Sequence, residues 1–138
     1  MALGEKLFEE TGKIIGMQVE SVHPIEGIKM DVSFAGEIKG IGKFPSGRNL
    51  GSGTVTQYPH GAVNAQYKGV ATIEGEQYIW WAHEKSRVRE GGTVRGIVIV
   101  SGYTNSQRLA WLNDLVMVIE VENDASFQQY KGTAYEWK

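Results

Sequence analysis

The sequence contains no cysteine, which excludes disulfides, thiol nucleophiles and cysteine-ligated zinc. It has no apolar run near the ~18–20 residues a membrane-spanning helix needs. The longest, Leu115 to Ile119, has the length of a strand. The opening residues Met1 to Lys6 lack the apolar core of a signal peptide, so a cytoplasmic protein is expected. Charge of one sign is also missing: 14 basic against 16 acidic side chains leave a net charge of −2. A nucleic-acid partner is therefore not expected, since such binders carry a strongly basic face. The one basic group, Lys85, Arg87, Arg89 and Arg95, reads as a solvated rim.

Histidine is scarce, and His23, His60 and His83 show no short metal-ligand spacing. A metal site would have to assemble from distant strands, with Glu74 or Glu84, and neither a metal nor a cofactor is expected. The stretch Gly40 to Asn49 keeps the glycine spacing of a phosphate loop at Gly42 and Gly47. Arg48 and Asn49 stand where lysine and a hydroxyl would be needed, and no helix pattern follows, so an inter-strand loop over 40–53 is the better reading. No serine-hydrolase elbow and no dinucleotide fingerprint is present.

What the chain does have is period-two alternation. Ile28 to Phe34 and Val63 to Gly69 alternate apolar with polar, the mark of strands with one sheltered face. Eighteen glycines, about twice the usual share, read as turns and bulges between strands because prolines number only three. Strands are expected near 13–22, 27–38, 52–58, 62–73, 77–85, 94–103, 114–122 and 127–137. Leu3, Leu7 and Phe8 are spaced for a short N-terminal helix. Thr104 to Asn113 has no alternation and reads as a loop with a helical turn. No composition break divides the 138 residues, so one domain over 1–138 is expected. Eight strands joined by short hairpins predict an all-β, antiparallel up-and-down barrel, whose closure removes exposed sheet edges.

The aromatic strand Tyr78-Ile79-Trp80-Trp81-Ala82-His83-Glu84 is apolar on both faces. One face would line the interior and the other would lie under a loop, a helix or another subunit. The strands 94–103 and 114–122 carry apolar residues on both faces too, which points to a homo-oligomer. Glu84 and His83 are candidate proton carriers. For Glu84 the competing reading is a strand-end carboxylate paired with Lys85 or Arg87; for His83 it is a structural histidine.

Pro59-His60-Gly61-Ala62-Val63, Ala65-Gln66-Tyr67, the hairpin Glu74-Gly75-Glu76, Arg108-Leu109-Ala110-Trp111-Leu112-Asn113 and the terminal Ala134-Tyr135-Glu136-Trp137 share a layout. In it the chain resembles an uncharacterised family of small bacterial proteins, similar to allene oxide cyclase-like and lipocalin-like barrels. His60 stands where that pattern has an acidic residue and Gln66 where it has arginine. The resemblance implies a barrel and no agreed activity. Three functions stay open at this point. The first is a barrel binding a small apolar or aromatic molecule through Tyr67, Tyr78, Trp80 and Trp111. The second is an isomerase or cyclase-like enzyme in the same cavity, and the third is an assembly protein with a filled interior.

Overall fold

The computed structural model describes residues 3–124 and 126–138; Met1, Ala2 and Ala125 lie outside them. Eight antiparallel strands close into one barrel in chain order. They are β1 (Leu3–His23), β2 (Gly27–Gly40), β3 (Gly47–Gln57), β4 (Ala62–Ile73), β5 (Glu76–Val88), β6 (Val94–Tyr103), β7 (Met117–Asn123) and β8 (Gln129–Trp137). A 3₁₀ turn, Ala110–Asp114, interrupts the β6–β7 connection, where the sequence predicted a helical turn. Among the described residues no helix is long and apolar enough to cross a membrane.

The expected N-terminal helix is instead the first half of β1. A register shift against β8 between Lys6 and Phe8 lets the consecutive residues Leu7 and Phe8 both turn inward. That bulge produces the helix-like spacing of Leu3, Leu7 and Phe8 in an extended strand. Farther along, Phe8 and Glu10 point inward while Glu9 and Thr11 face solvent. The inward glutamate hides the alternation from a reading of apolar residues alone.

The expected 40–53 loop shrinks to residues 41–46, because β3 begins at Gly47. The loop closes one barrel end by inserting Phe44, which packs on Phe8 at 4.9 Å and on Trp111 at 5.9 Å. Leu109 and Leu112 of the β6–β7 connection are buried in the same plug. Arg108 pins that connection to the β4–β5 hairpin, reaching Glu74 at 2.6 Å and Glu76 at 2.7 Å. These half-exposed pairs hold geometry and add little stability.

Inside the barrel, bulky side chains lie flat over glycines of neighbouring strands. The Tyr130 ring on β8 crosses Gly12 of β1, its ladder partner, and reaches Gly36 of β2. Trp80 on β5 lies over Gly69 of β4 and Gly51 of β3, which are paired with each other. A Cβ at Gly12 would run into the Tyr130 ring itself. Gly12→Ala is therefore expected to destabilise the fold by about 1–3 kcal/mol through overpacking. Urea or thermal unfolding reads this, and an unchanged midpoint would show that the slot is not needed.

Candidate functional site

The interior strand faces leave a cavity of about 130 Å³, walled mostly by aliphatic and aromatic side chains. Two carboxylates are sunk into this wall. Glu10 and Glu84 are each only 6% exposed, and they come from β1 and β5, strands that stand opposite one another in the ring of eight. An unpaired buried carboxylate is costly, so each must find partners.

Glu10 accepts a hydrogen bond from the Tyr130 hydroxyl at 2.6 Å and another from Asn49 Nδ2 at 3.1 Å, both on Oε2. Asn49 is fixed in turn, its Oδ1 accepting from Trp80 Nε1 at 2.8 Å. Glu84 is served by two hydroxyls: Tyr67 donates to Oε1 and Ser86 to Oε2, each at 2.5 Å. Phe34 joins the two groups. Its ring meets Tyr67 edge-on at 5.5 Å and Tyr130 edge-on at 5.6 Å, and lies 6.0 Å from Trp80. Glu10, Tyr130, Phe34, Tyr67 and Glu84 thus form a continuous belt along the wall from β8 round to β5.

Burial pushes the Glu10 carboxyl above its ordinary range, and the hydrogen bonds from Tyr130 and Asn49 only partly oppose it. Burial also raises the hydroxyl of Tyr67, with the adjacent Glu84 charge adding to the effect. Tyr130 is raised by burial and then by Glu10. Both tyrosines therefore remain protonated donors through the neutral range. Tyr78 is raised to about 12 by burial. Its hydroxyl is the one buried side-chain polar atom among the described residues that has no hydrogen-bond partner, and the residue lines the cavity.

The candidates from the sequence divide cleanly. Tyr67, Tyr78, Trp80 and Glu84 all line the cavity. Glu84 pairs with Tyr67 and Ser86 and not with Lys85 or Arg87, because alternation along β5 turns those two neighbours outward. The same alternation places His83 on the outer face, away from the interior. Trp111 sits in the end plug against Phe44, with Lys43 Nζ 4.7 Å above its ring, and is not part of the cavity wall. Sequence reasoning missed Glu10, Asn49 and Tyr130. Glu10 was masked by the helix reading, and Asn49 by its place in an expected loop. The signal available for Glu10 is the inward phase of Phe8 and Ile14 flanking it on the same strand. Among the described residues no cluster of three or more histidine, aspartate or glutamate side chains is placed to hold a metal ion.

The outer faces also carry large apolar groups. Trp81 is 54% exposed; Ile79, Ile99 and Tyr103 lie around it on β5 and β6, and exposed Ile97 follows farther along β6. Among the described residues, β1 pairs with β8 only as far as Lys13, so from Gly16 to His23 its ladder partners lie in β2 alone. Ile15 just before that stretch, and Met17, Val19 and Val22 within it, are exposed.

No family model matches the chain, and no curated protein matches it. Solved structures do match. One, a protein of unknown function from Clostridium acetobutylicum, superposes with a TM-score of 0.83 at 13% identity, covering 99% of this chain and 97% of that one. A β-barrel-like protein from Acinetobacter baumannii gives 0.82 at 14% identity, over 99% and 96% of the two chains. An enzyme from Penicillium herquei gives 0.68 at 16% identity, over 99% and 97%. At such identities the likeness establishes the fold: this chain has the architecture of small β-barrel proteins whose function is unknown in the bacterial cases.

The raised Glu10 carboxyl couples stability to pH. The folded state holds this proton more tightly than the unfolded chain does, so the group's contribution is full below the unfolded pKa of about 4.3. It is lost as pH rises through the folded value. The stability of the wild type relative to Glu10→Gln should therefore fall as pH rises above the unfolded pKa of about 4.3, as read by urea unfolding at each pH. A difference that stays flat, or that rises, would contradict burial as the dominant influence on Glu10.

Proposed function

We propose that the barrel binds a small, largely apolar molecule carrying one oxygen acceptor. The observation that carries this reading is the placement of two carboxylates on opposing walls of an apolar cavity. A barrel that merely filled its interior would do better with hydrophobic side chains at Glu10 and Glu84, since buried ionisable groups cost stability that packing alone does not return. Two such groups beside an open volume fit a pocket of apolar walls with a few convergent polar groups. The volume limits the ligand to about one six-membered ring, since an engineered cavity of roughly 150 Å³ holds benzene. The unpartnered Tyr78 hydroxyl supplies a donor that such a ligand's oxygen would satisfy. The cytoplasmic setting expected from the sequence is part of the same proposal.

Cyclohexanone is a suitable probe, followed by chemical-shift titration of the interior residues. Tyr78→Phe removes an unsatisfied buried hydroxyl, so it should raise stability by on the order of 1 kcal/mol while weakening cyclohexanone binding about threefold to tenfold. A purely structural tyrosine would show the first effect alone. If cyclohexanone produced no interior shifts in the wild type at saturation, the binding reading would be wrong.

A second reading, a homo-oligomer, is supported by the exposed apolar half of β1. A strand edge without a partner and with apolar side chains favours pairing with another copy, which shields both. Sedimentation velocity is expected to give a dimer or larger species, and the double substitution Val19→Lys with Val22→Lys to shift it toward monomer. A monomeric wild type at about 100 μM would count against this reading, because stable homo-oligomers persist well below that concentration.

A further inference from the structure

We propose that the two tyrosine–glutamate pairs form an acid–base couple that moves a proton between carbon atoms of an enolisable, unsaturated ketone. This rests on the binding reading above and adds the chemistry of the bound molecule. The geometry separates two roles. Glu84 receives one hydroxyl hydrogen bond on each oxygen, from Tyr67 and Ser86, and each oxygen keeps a second lone pair for a substrate proton. It is the base. Glu10 stands on the opposite wall, beside the Tyr130 hydroxyl and the Asn49 amide, which Trp80 locks in orientation. Its carboxyl is held toward the acid form by burial. Tyr130 and Asn49 both donate to Oε2, so the proton of a neutral Glu10 carboxyl sits on Oε1 and is the donor to an oxygen that gains negative charge.

The step balances without any co-reactant. Glu84 removes a proton from the carbon between the carbonyl and the double bond. That C–H bond breaks, and its electron pair passes into a dienolate whose negative charge rests on the carbonyl oxygen. Protonated Glu10, supported by Tyr130, hydrogen-bonds this oxygen. The proton on Glu84 then returns to the far carbon of the former double bond, which shifts into conjugation with the carbonyl, and both glutamates regain their starting states. Nothing is oxidised or reduced. Apolar walls exclude water, which strengthens the hydrogen bonds to the developing charge and protects the dienolate from stray protonation. The compact cavity selects a single ring or a short chain.

The test uses the β,γ-unsaturated isomer of cyclohexenone as substrate and saturated cyclohexanone as binding probe. Wild-type protein should speed formation of the conjugated isomer well above the buffer rate, read by its ultraviolet absorbance. Glu84→Gln should lower that rate by at least about 100-fold, the usual worth of a positioned base, with cyclohexanone affinity held within about threefold of wild type. Glu10→Gln should cost about 100-fold through loss of the oxyanion donor. Tyr67→Phe, which keeps the ring and strips one hydrogen bond from the base, should move the pH profile of the rate, and so tests the base even where Glu84→Gln does not fold. Binding of cyclohexanone with no acceleration overturns the proton-transfer inference and leaves the binding reading standing. Absence of binding overturns both. A Glu84→Gln variant that is as fast as wild type, or a Tyr67→Phe profile that does not move, removes Glu84 from the reaction.

Discussion

Two carboxylates inside an apolar barrel impose the constraint to which most of the interior is a response. A charge or a carboxylic acid in that setting has to be met by donors, or the chain loses several kcal/mol at each site. The donors are tyrosine, serine and asparagine side chains, and each must come from a neighbouring strand at the right height. Once Tyr130 is aimed at Glu10 its ring has to cross two strands, and Gly12 and Gly36 leave the room for it. Trp80 does the same over Gly69 and Gly51 so that its indole N–H meets Asn49. Part of the glycine excess is therefore a consequence of the polar belt: an L side chain at these positions would push the rings out of hydrogen-bond reach.

The rest of the barrel shelters that belt. Phe44 and the β6–β7 connection seal one end with Leu109, Leu112 and Trp111. At the other, Met30, Val32, Val55, Val63 and Val94 form a separate aliphatic cluster. Between them the cavity keeps apolar walls around a few oriented polar groups. For the ligand we propose, such a site would be preorganised: its dipoles are aimed in advance, and little reorganisation would be needed on binding. The cost falls on stability, which explains why the wall glycines and the tyrosines are coupled so tightly.

Much of this fold is legible in the sequence. Alternation in 28–34 and 63–69, and the hairpin at Glu74-Gly75-Glu76, are local signals that survive in the barrel with nearly the expected bounds. The inward set Tyr78, Trp80 and Glu84 follows from the period of β5 alone, once one of its two aromatic faces is assigned to the interior. What fails is whatever depends on long-range register. The bulge at Leu7 mimics helical spacing, and Asn49 looks like loop until its pairing with Gly36 and Ala71 is known. Tyr130 and Glu10 lie 120 residues apart, and only closure of β8 onto β1 brings them together. His83 and Trp111 attract attention by residue type, yet strand phase sends one outward and the 3₁₀ turn carries the other into the plug.

We propose that the cavity lined by Glu10 and Glu84 is a binding site and not a packing defect. A crystal structure of the protein grown with cyclohexanone tests it most directly. A ring is expected in the cavity, its oxygen within hydrogen-bond distance of Glu10 or the Tyr78 hydroxyl and one ring carbon facing Glu84. An interior closed by shifted aromatic side chains, with the ketone absent or bound only on the outer face of β5 and β6, would contradict it.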